Sequence, residues 1–236
     1  MSSEATQHSP RTKITLIIAG LIALAVAVIS CAALWGNPHQ QPAASTETVS
    51  VDDDGLARAP EPEATFQDES CPAPEEQDPQ LNPNEWAMPG LDAAAAFTPT
   101  QGTTVELPDA PDGIYYSPSM PVGHDQGATV LAGHVDYAPG ALSDQGGELS
   151  PWGHLHEASA CNVVYASDQD GQTHAYQVTD LYTVDQDHLP EDELFRASGD
   201  PALYLITCSG PSVQDAGGQF QFGYEHNLII KAEPIN

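Results

Sequence analysis

The sequence predicts a mainly β domain, a barrel or sandwich of roughly seven or eight short strands, held behind an apolar N-terminal segment and an acidic linker. Three observations predict it. From about Met88 onward, β-branched and aromatic runs are cut every few residues by Gly, Pro, Asp and Ser, the pattern of strands joined by tight turns. Apolar spacing at a helical period is scarce in the same stretch. Residues 89 to 236 are enough chain for one such core, and they contain no internal repeat.

The N-terminal elements follow from charge and hydropathy. Arg11 and Lys13 precede Ile14 to Trp35, 22 residues without a charged side chain. As a helix this stretch is about 33 Å long, enough to cross a hydrocarbon core of about 30 Å. Cations on its N-terminal side place residues 1 to 13 in the cytoplasm and everything after Trp35 outside, as a single-pass cell-membrane protein. Val28-Ile29-Ser30-Cys31 also matches a bacterial lipobox, so a lipoprotein anchored at Cys31 is the alternative; a cleaved signal peptide is the third reading, and all three export the rest of the chain.

Residues 36 to 88 are dense in proline and acids, including Asp52-Asp53-Asp54 and Pro72-Ala73-Pro74-Glu75-Glu76. Spaced apolar residues are too few there to build a core, so this stretch reads as a spacer. The strand candidates beyond it are Thr103 to Leu107, Gly113 to Ser117, Ala128 to Val135, Asn162 to Ala166, Thr173 to Thr183, Leu203 to Cys208 and His226 to Glu233. Leu91 to Phe97 and Glu191 to Arg196 are the helix candidates.

Charge excludes one class of partner. Asp and Glu number 34 against 5 Lys and Arg, a formal net charge of −29. Beyond residue 35 the only cations are Arg58, Arg196 and Lys231. Such a surface repels nucleic acid and anionic headgroups, and reads as a solubilising exterior.

Two segments carry chemistry. Leu131-Ala132-Gly133-His134 and Leu203-Tyr204-Leu205-Ile206-Thr207-Cys208 are apolar runs that each deliver one reactive side chain at the end. Alternation places His134 on the face of Val130 and Ala132, and Cys208 on that of Tyr204 and Ile206. If those faces line one barrel, imidazole and thiol emerge together at its mouth. A thiol reacts as thiolate, and a neighbouring imidazolium is its natural stabiliser. Asp136, two residues on, is the candidate to orient the imidazole.

The motif Tyr204-Leu205-Ile206-Thr207-Cys208 resembles the Thr-Leu-x-Thr-Cys signature of the sortases. Ala132-Gly133-His134-Val135-Asp136 resembles the histidine segment of the actinobacterial class F or class E branches. The resemblance covers residues 88 to 236. It implies an eight-stranded barrel and a cell-surface cysteine transpeptidase that needs no cofactor or metal. Cys208 would attack a Leu-Pro-x-Thr-Gly-like sorting signal at the C-terminus of a secreted protein, with His134 as general acid and base. An amine of a cell-wall precursor or a pilin lysine would release the product.

The family's arginine near the last strand has no counterpart, because no Arg follows Cys208. His226, Tyr224 and Arg196 are the candidate replacements. The alternative is a catalytically weak or silent domain that binds sorting-signal peptides. Cys71 and Cys161 are either a disulfide clipping the linker to the barrel, as an oxidising exterior permits, or two unpaired cysteines.

Overall fold

The computed structural model describes residues 50–51, 57–74, 79–137, 147–213 and 223–235. The segment 14–35 and the alternative anchor Cys31 lie outside these residues. Among the described residues no helix is long and apolar enough to cross a membrane.

Ten strands form among the described residues: β1 (Ser50–Val51), β2 (Ala57–Ala59), β3 (Glu85–Met88), β4 (Ala93–Pro99), β5 (Gly113–Tyr115), β6 (Ala128–Gly133), β7 (Val163–Ser167), β8 (Thr173–Asp185), β9 (Ala202–Val213) and β10 (Gly223–Pro234). The order β9-β10-β8-β7-β3-β4-β5-β6 closes through a β6–β9 pairing into an eight-stranded barrel. That closure decides for the barrel over the sandwich. Two of the pairings, β4–β5 and β6–β9, are parallel. β1 and β2 form an antiparallel pair appended to the far end of β9, through Arg58↔Pro211 and Ala59↔Gly210.

The barrel interior holds Trp86, Met88, Phe97, Leu131, Trp152, Leu203, Leu205, Leu228 and Ile230. Trp86 and Trp152 meet edge to face with ring centroids 4.9 Å apart. A second cluster, with Val130, Tyr204 and Ile229, lies on the opposite face of the same strands beneath Leu194. Leu194 ends the single-turn helix α1 (Glu191–Leu194), within the span expected to be helical. The face shared by Val130, Ala132, Tyr204 and Ile206 is therefore the outer one. The expectation that it lines the barrel is corrected: β6 and β9 give Leu131, Leu203 and Leu205 to the interior instead.

Three further expectations change. Ala93–Pro99 is a strand, where Leu91 to Phe97 was expected as a helix. The alanine run favours helix locally, but Ala93, Ala95 and Phe97 are alternately buried against the core while β3 supplies the backbone partners. Thr103 to Leu107 forms no strand. It holds only a Gln101↔Thr104 bridge around a turn at Gly102, whose φ is +62°, and Val105 is 57 % exposed.

The spacer is the third. Its C-terminal part belongs to the barrel: Trp86, in β3, is fully buried, and Phe66 exchanges two 2.9 Å backbone hydrogen bonds with Leu181. The Asp68 N–H donates to Asp180 at 2.7 Å, and Cys71 is joined to Cys161 by a disulfide with Cα atoms 5.3 Å apart. Apolar residues are sparse in this stretch, but Ala59, Phe66, Trp86 and Met88 all pack into core clusters.

Candidate active site

β6 and β9 run parallel in a fixed register: Ala128↔Ala202, Leu131↔Leu205 and Ala132↔Ile206. The offset is 74 residues, the separation at which the Thr207 hydroxyl donates to the Gly133 carbonyl at 2.9 Å. One residue further along each strand are His134 and Cys208. The register thus brings His134, the first residue past the end of β6, and Cys208 to the same end of neighbouring strands, whose backbones lie about 4.8 Å apart.

The backbone around His134 is fixed by packing below and hydrogen bonds beyond. Gly113 and Gly133 are register partners on β5 and β6, and together they leave a flat slot for the Trp152 indole. A Cβ on either glycine would lie 2.2 Å from that ring. The indole N–H reaches the Pro111 carbonyl at 3.0 Å. Past the strand, the Ser150 N–H donates to the Val135 carbonyl at 3.0 Å, the Ser150 hydroxyl donates to the His134 carbonyl, and Asp136 bridges Leu149.

On its other side β9 pairs with β10, and the residue opposite Cys208 is Asn227. Directly opposed residues project to the same face. Cys208 and Asn227 therefore share a row across the sheet, with His134 just past the end of β6 on the other side of β9. Sequence reading missed Asn227, because a register shift between Tyr224 and His226 and the long β9–β10 connection conceal which residue of β10 meets the cysteine. A polar side chain opening the apolar run Leu228-Ile229-Ile230 was the available signal.

The electrostatics are set by burial and one carboxylate. Burial pushes the Cys208 thiol up to about 11; the Asp136 carboxylate adds to the rise, and a hydrogen bond with the Gln186 side chain opposes it. Burial lowers the pKa of His134, against the pull of Asp136 and Asp109. Thiol and imidazole are both neutral at rest near pH 7. Burial also raises the pKa of Asp136, while a hydrogen bond from Tyr224 and the charge of His134 lower it. Asp136 is near enough to act on both reactive groups.

The three candidate arginine replacements are all engaged. The Tyr224 hydroxyl is committed to Asp136 at 2.5 Å. His226 opposes Ser209, so it projects to the other face from Cys208; its ring lies over Gly210 and pairs with Glu61 at 3.4 Å and Asp185 at 3.6 Å. Arg196 sits at the start of the strands, its carbonyl accepting from the Ala128 N–H and its guanidinium donating to the Ser198 carbonyl at 3.1 Å. Cys208 is six residues from Ala202, about 20 Å along β9. Arg58 pairs with Glu61, and Lys231 with Asp180 and Glu233.

A sortase-domain family model matches residues 87–235. The chain belongs to the sortase family. Sortases are in general cysteine transpeptidases. This sortase is similar to sortase C-1 from Actinomyces oris, at 20 % identity and a TM-score of 0.46 over 64 % of this chain and 72 % of that one. It is also similar to sortase A from Corynebacterium diphtheriae, at 19 % identity and a TM-score of 0.46 over 64 % and 60 %. A pilus-related sortase C of Group B Streptococcus matches at 16 % identity and a TM-score of 0.47 over 72 % and 79 %. No curated protein matches the chain.

Proposed function

We propose that this sortase is a cell-surface transpeptidase that cleaves a Leu-Pro-x-Thr-Gly-like sorting signal, with Cys208 as nucleophile and His134 as general acid and base. The observation that supports this reading is the parallel β6–β9 register, whose 74-residue offset, continued two residues past Ala132 and Ile206, matches His134 with Cys208. His134 takes the thiol proton as sulfur attacks the threonine carbonyl, then gives it to the departing glycine amine, leaving a thioester. An incoming amine of a cell-wall precursor or pilin lysine attacks that thioester. Its proton passes through His134 to the departing Cys208 sulfur, and the resting thiol returns.

Ala132 and Ile206, register partners one alternation before the reactive pair and both half-buried, offer an apolar floor suited to the leucine and proline of such a signal. The Ala132-to-Asp136 segment favours the class F or class E branch. The apolar segment 14–35 anchors the chain with the barrel outside, or lipid on Cys31 does.

One observation favours a weak or silent peptide-binding domain instead: each of the three described Lys and Arg side chains is already engaged by a protein partner, Arg58 by Glu61, Arg196 by the Ser198 carbonyl and Lys231 by Asp180. The test is chromatography of sorting-signal peptides incubated with the full chain, with and without an amine acceptor. Cleavage lost in Cys208→Ala and in His134→Ala, with amine-dependent ligation, supports the transpeptidase; retained binding without turnover supports the alternative.

A further inference from the structure

We infer that Asn227 is a catalytic residue of this sortase, its side-chain amide donating a hydrogen bond to the oxyanion that forms when Cys208 attacks. The inference rests on the proposed acyl transfer at Cys208.

The tetrahedral intermediate carries a full negative charge on an oxygen bonded, with the sulfur, to the attacked carbon. A donor for that oxygen must lie beside the sulfur, on the same face of the sheet. Beside Cys208 the paired strand is β10; on the other edge of β9, β6 ends at Gly133 and β2 pairs only further along, at Gly210 and Pro211. The segment just past β6 carries His134, which the proposed reaction occupies with the thiol proton and the leaving amine, and the Gln186 amide is engaged by the thiol itself. β10 supplies Asn227, in register with Cys208. One strand further, the residue opposite Asn227 is Val184, which has no donor side chain.

Asn227 has the right chemistry and the right freedom. Its amide presents two N–H donors, it is half-buried, and its side chain has no hydrogen-bond partner among the described residues. Its backbone is held between Cys208 on β9 and Val184 on β8, so the amide is carried on a rigid strand. A neutral donor also suits the surroundings. Glu61, Asp136 and Asp185 crowd this end of the barrel, and Asp136 already acts on Cys208. An amide neutralises none of them and is drawn into no ion pair. It stays available to the developing oxyanion.

The test uses the full-length chain and a fluorogenic sorting-signal peptide, comparing wild type with Asn227→Ala and Asn227→Asp. The expected result is a fall in kcat of about 10²-fold in both, the loss typical of one oxyanion donor, with KM within about threefold. Asn227→Asp nearly keeps the shape and lacks the N–H, so it decides the question if Asn227→Ala does not fold.

Binding of the corresponding peptide aldehyde, whose adduct with Cys208 places an oxygen in the oxyanion position, should weaken in parallel. Binding of the uncleaved peptide to Cys208→Ala should not change when Asn227→Ala is added. Turnover within about threefold of wild type in either folded variant overturns the assignment of Asn227 and leaves Cys208 chemistry standing. No turnover by the wild-type chain overturns the acyl-transfer reading, and the role of Asn227 with it.

Discussion

The Tyr224 hydroxyl donates a 2.5 Å hydrogen bond to Oδ2 of Asp136, tying the start of β10 to the segment that carries His134. Tyr224 is 1 % exposed, and its own pKa is raised by burial and by Asp136. The pair therefore holds a carboxylate close to both reactive groups while keeping the phenol protonated.

Asp136→Asn keeps an acceptor for Tyr224 and removes the charge. The Asp136 charge raises the thiol pKa, so removing it moves the Cys208 titration below its present value of about 11. At a fixed pH below that value, alkylation should accelerate by about twofold for a fall of roughly 0.5 in the thiol pKa, since greater thiolate fraction outweighs lower nucleophilicity. The same change lowers the pKa of His134 further, because Asp136 was supporting its protonated form. A pH series of iodoacetamide labelling checks this; an unchanged or raised midpoint contradicts it.

Tyr224→Phe leaves the half-buried carboxylate with one donor fewer. A hydrogen bond to a charged group contributes about 1.5–3 kcal/mol, so urea unfolding at pH 7 should show a loss of that order. The sign with pH follows from the direction in which the carboxyl is displaced. Burial raises the folded pKa of Asp136, so its contribution is most favourable below the unfolded value of about 3.9 and is lost as pH rises through the folded one. Removing Tyr224 raises the folded pKa further, and the variant's deficit should shrink at acid pH.

Gly133→Ala drives a methyl group into the Trp152 indole, 2.2 Å from the new Cβ. Overpacking of this kind costs about 1–3 kcal/mol. Because the next residue is His134, peptide turnover should fall as well as melting temperature. Gly113→Ala meets the same ring from the neighbouring strand and should destabilise comparably while disturbing His134 less. Equal activity losses in the two variants would sink this ordering.

Much of the candidate site was legible in the sequence, and what was not has physical causes. His134 and Cys208 could be paired because each ends an apolar run, and their spacing is the β6–β9 register offset. Asn227 could not be found, because register across a long connection with a bulge is a tertiary property. Ala93–Pro99 reads as helix because four alanines carry helix propensity but no pattern of their own; burial against β3 supplies it. The N-terminal strap, residues 57–74 together with β3, was hidden by its low apolar content, since Ala59, Phe66 and Trp86 do their packing singly rather than in runs.

The strap predicts its own experiment. The Cys71–Cys161 disulfide closes a 90-residue separation, and removing a native bridge of this kind costs about 2–5 kcal/mol. Cys71→Ser with Cys161→Ser should lower the melting temperature. It should also increase proteolysis of residues 57–74, while Cys208 stays the single free thiol in the described chain. A strap equally protected in the double variant would show that the Phe66 and Asp68 hydrogen bonds suffice.

In the proposed reaction Cys208 forms an acyl-enzyme. Intact-mass analysis of the full chain, incubated with a panel of sorting-signal peptides without amine acceptor, tests it directly. The account predicts a mass increase equal to the peptide's acyl part, located on Cys208, released by hydroxylamine and absent in Cys208→Ala. No adduct with any peptide, from folded protein whose Cys208 still alkylates, would contradict it.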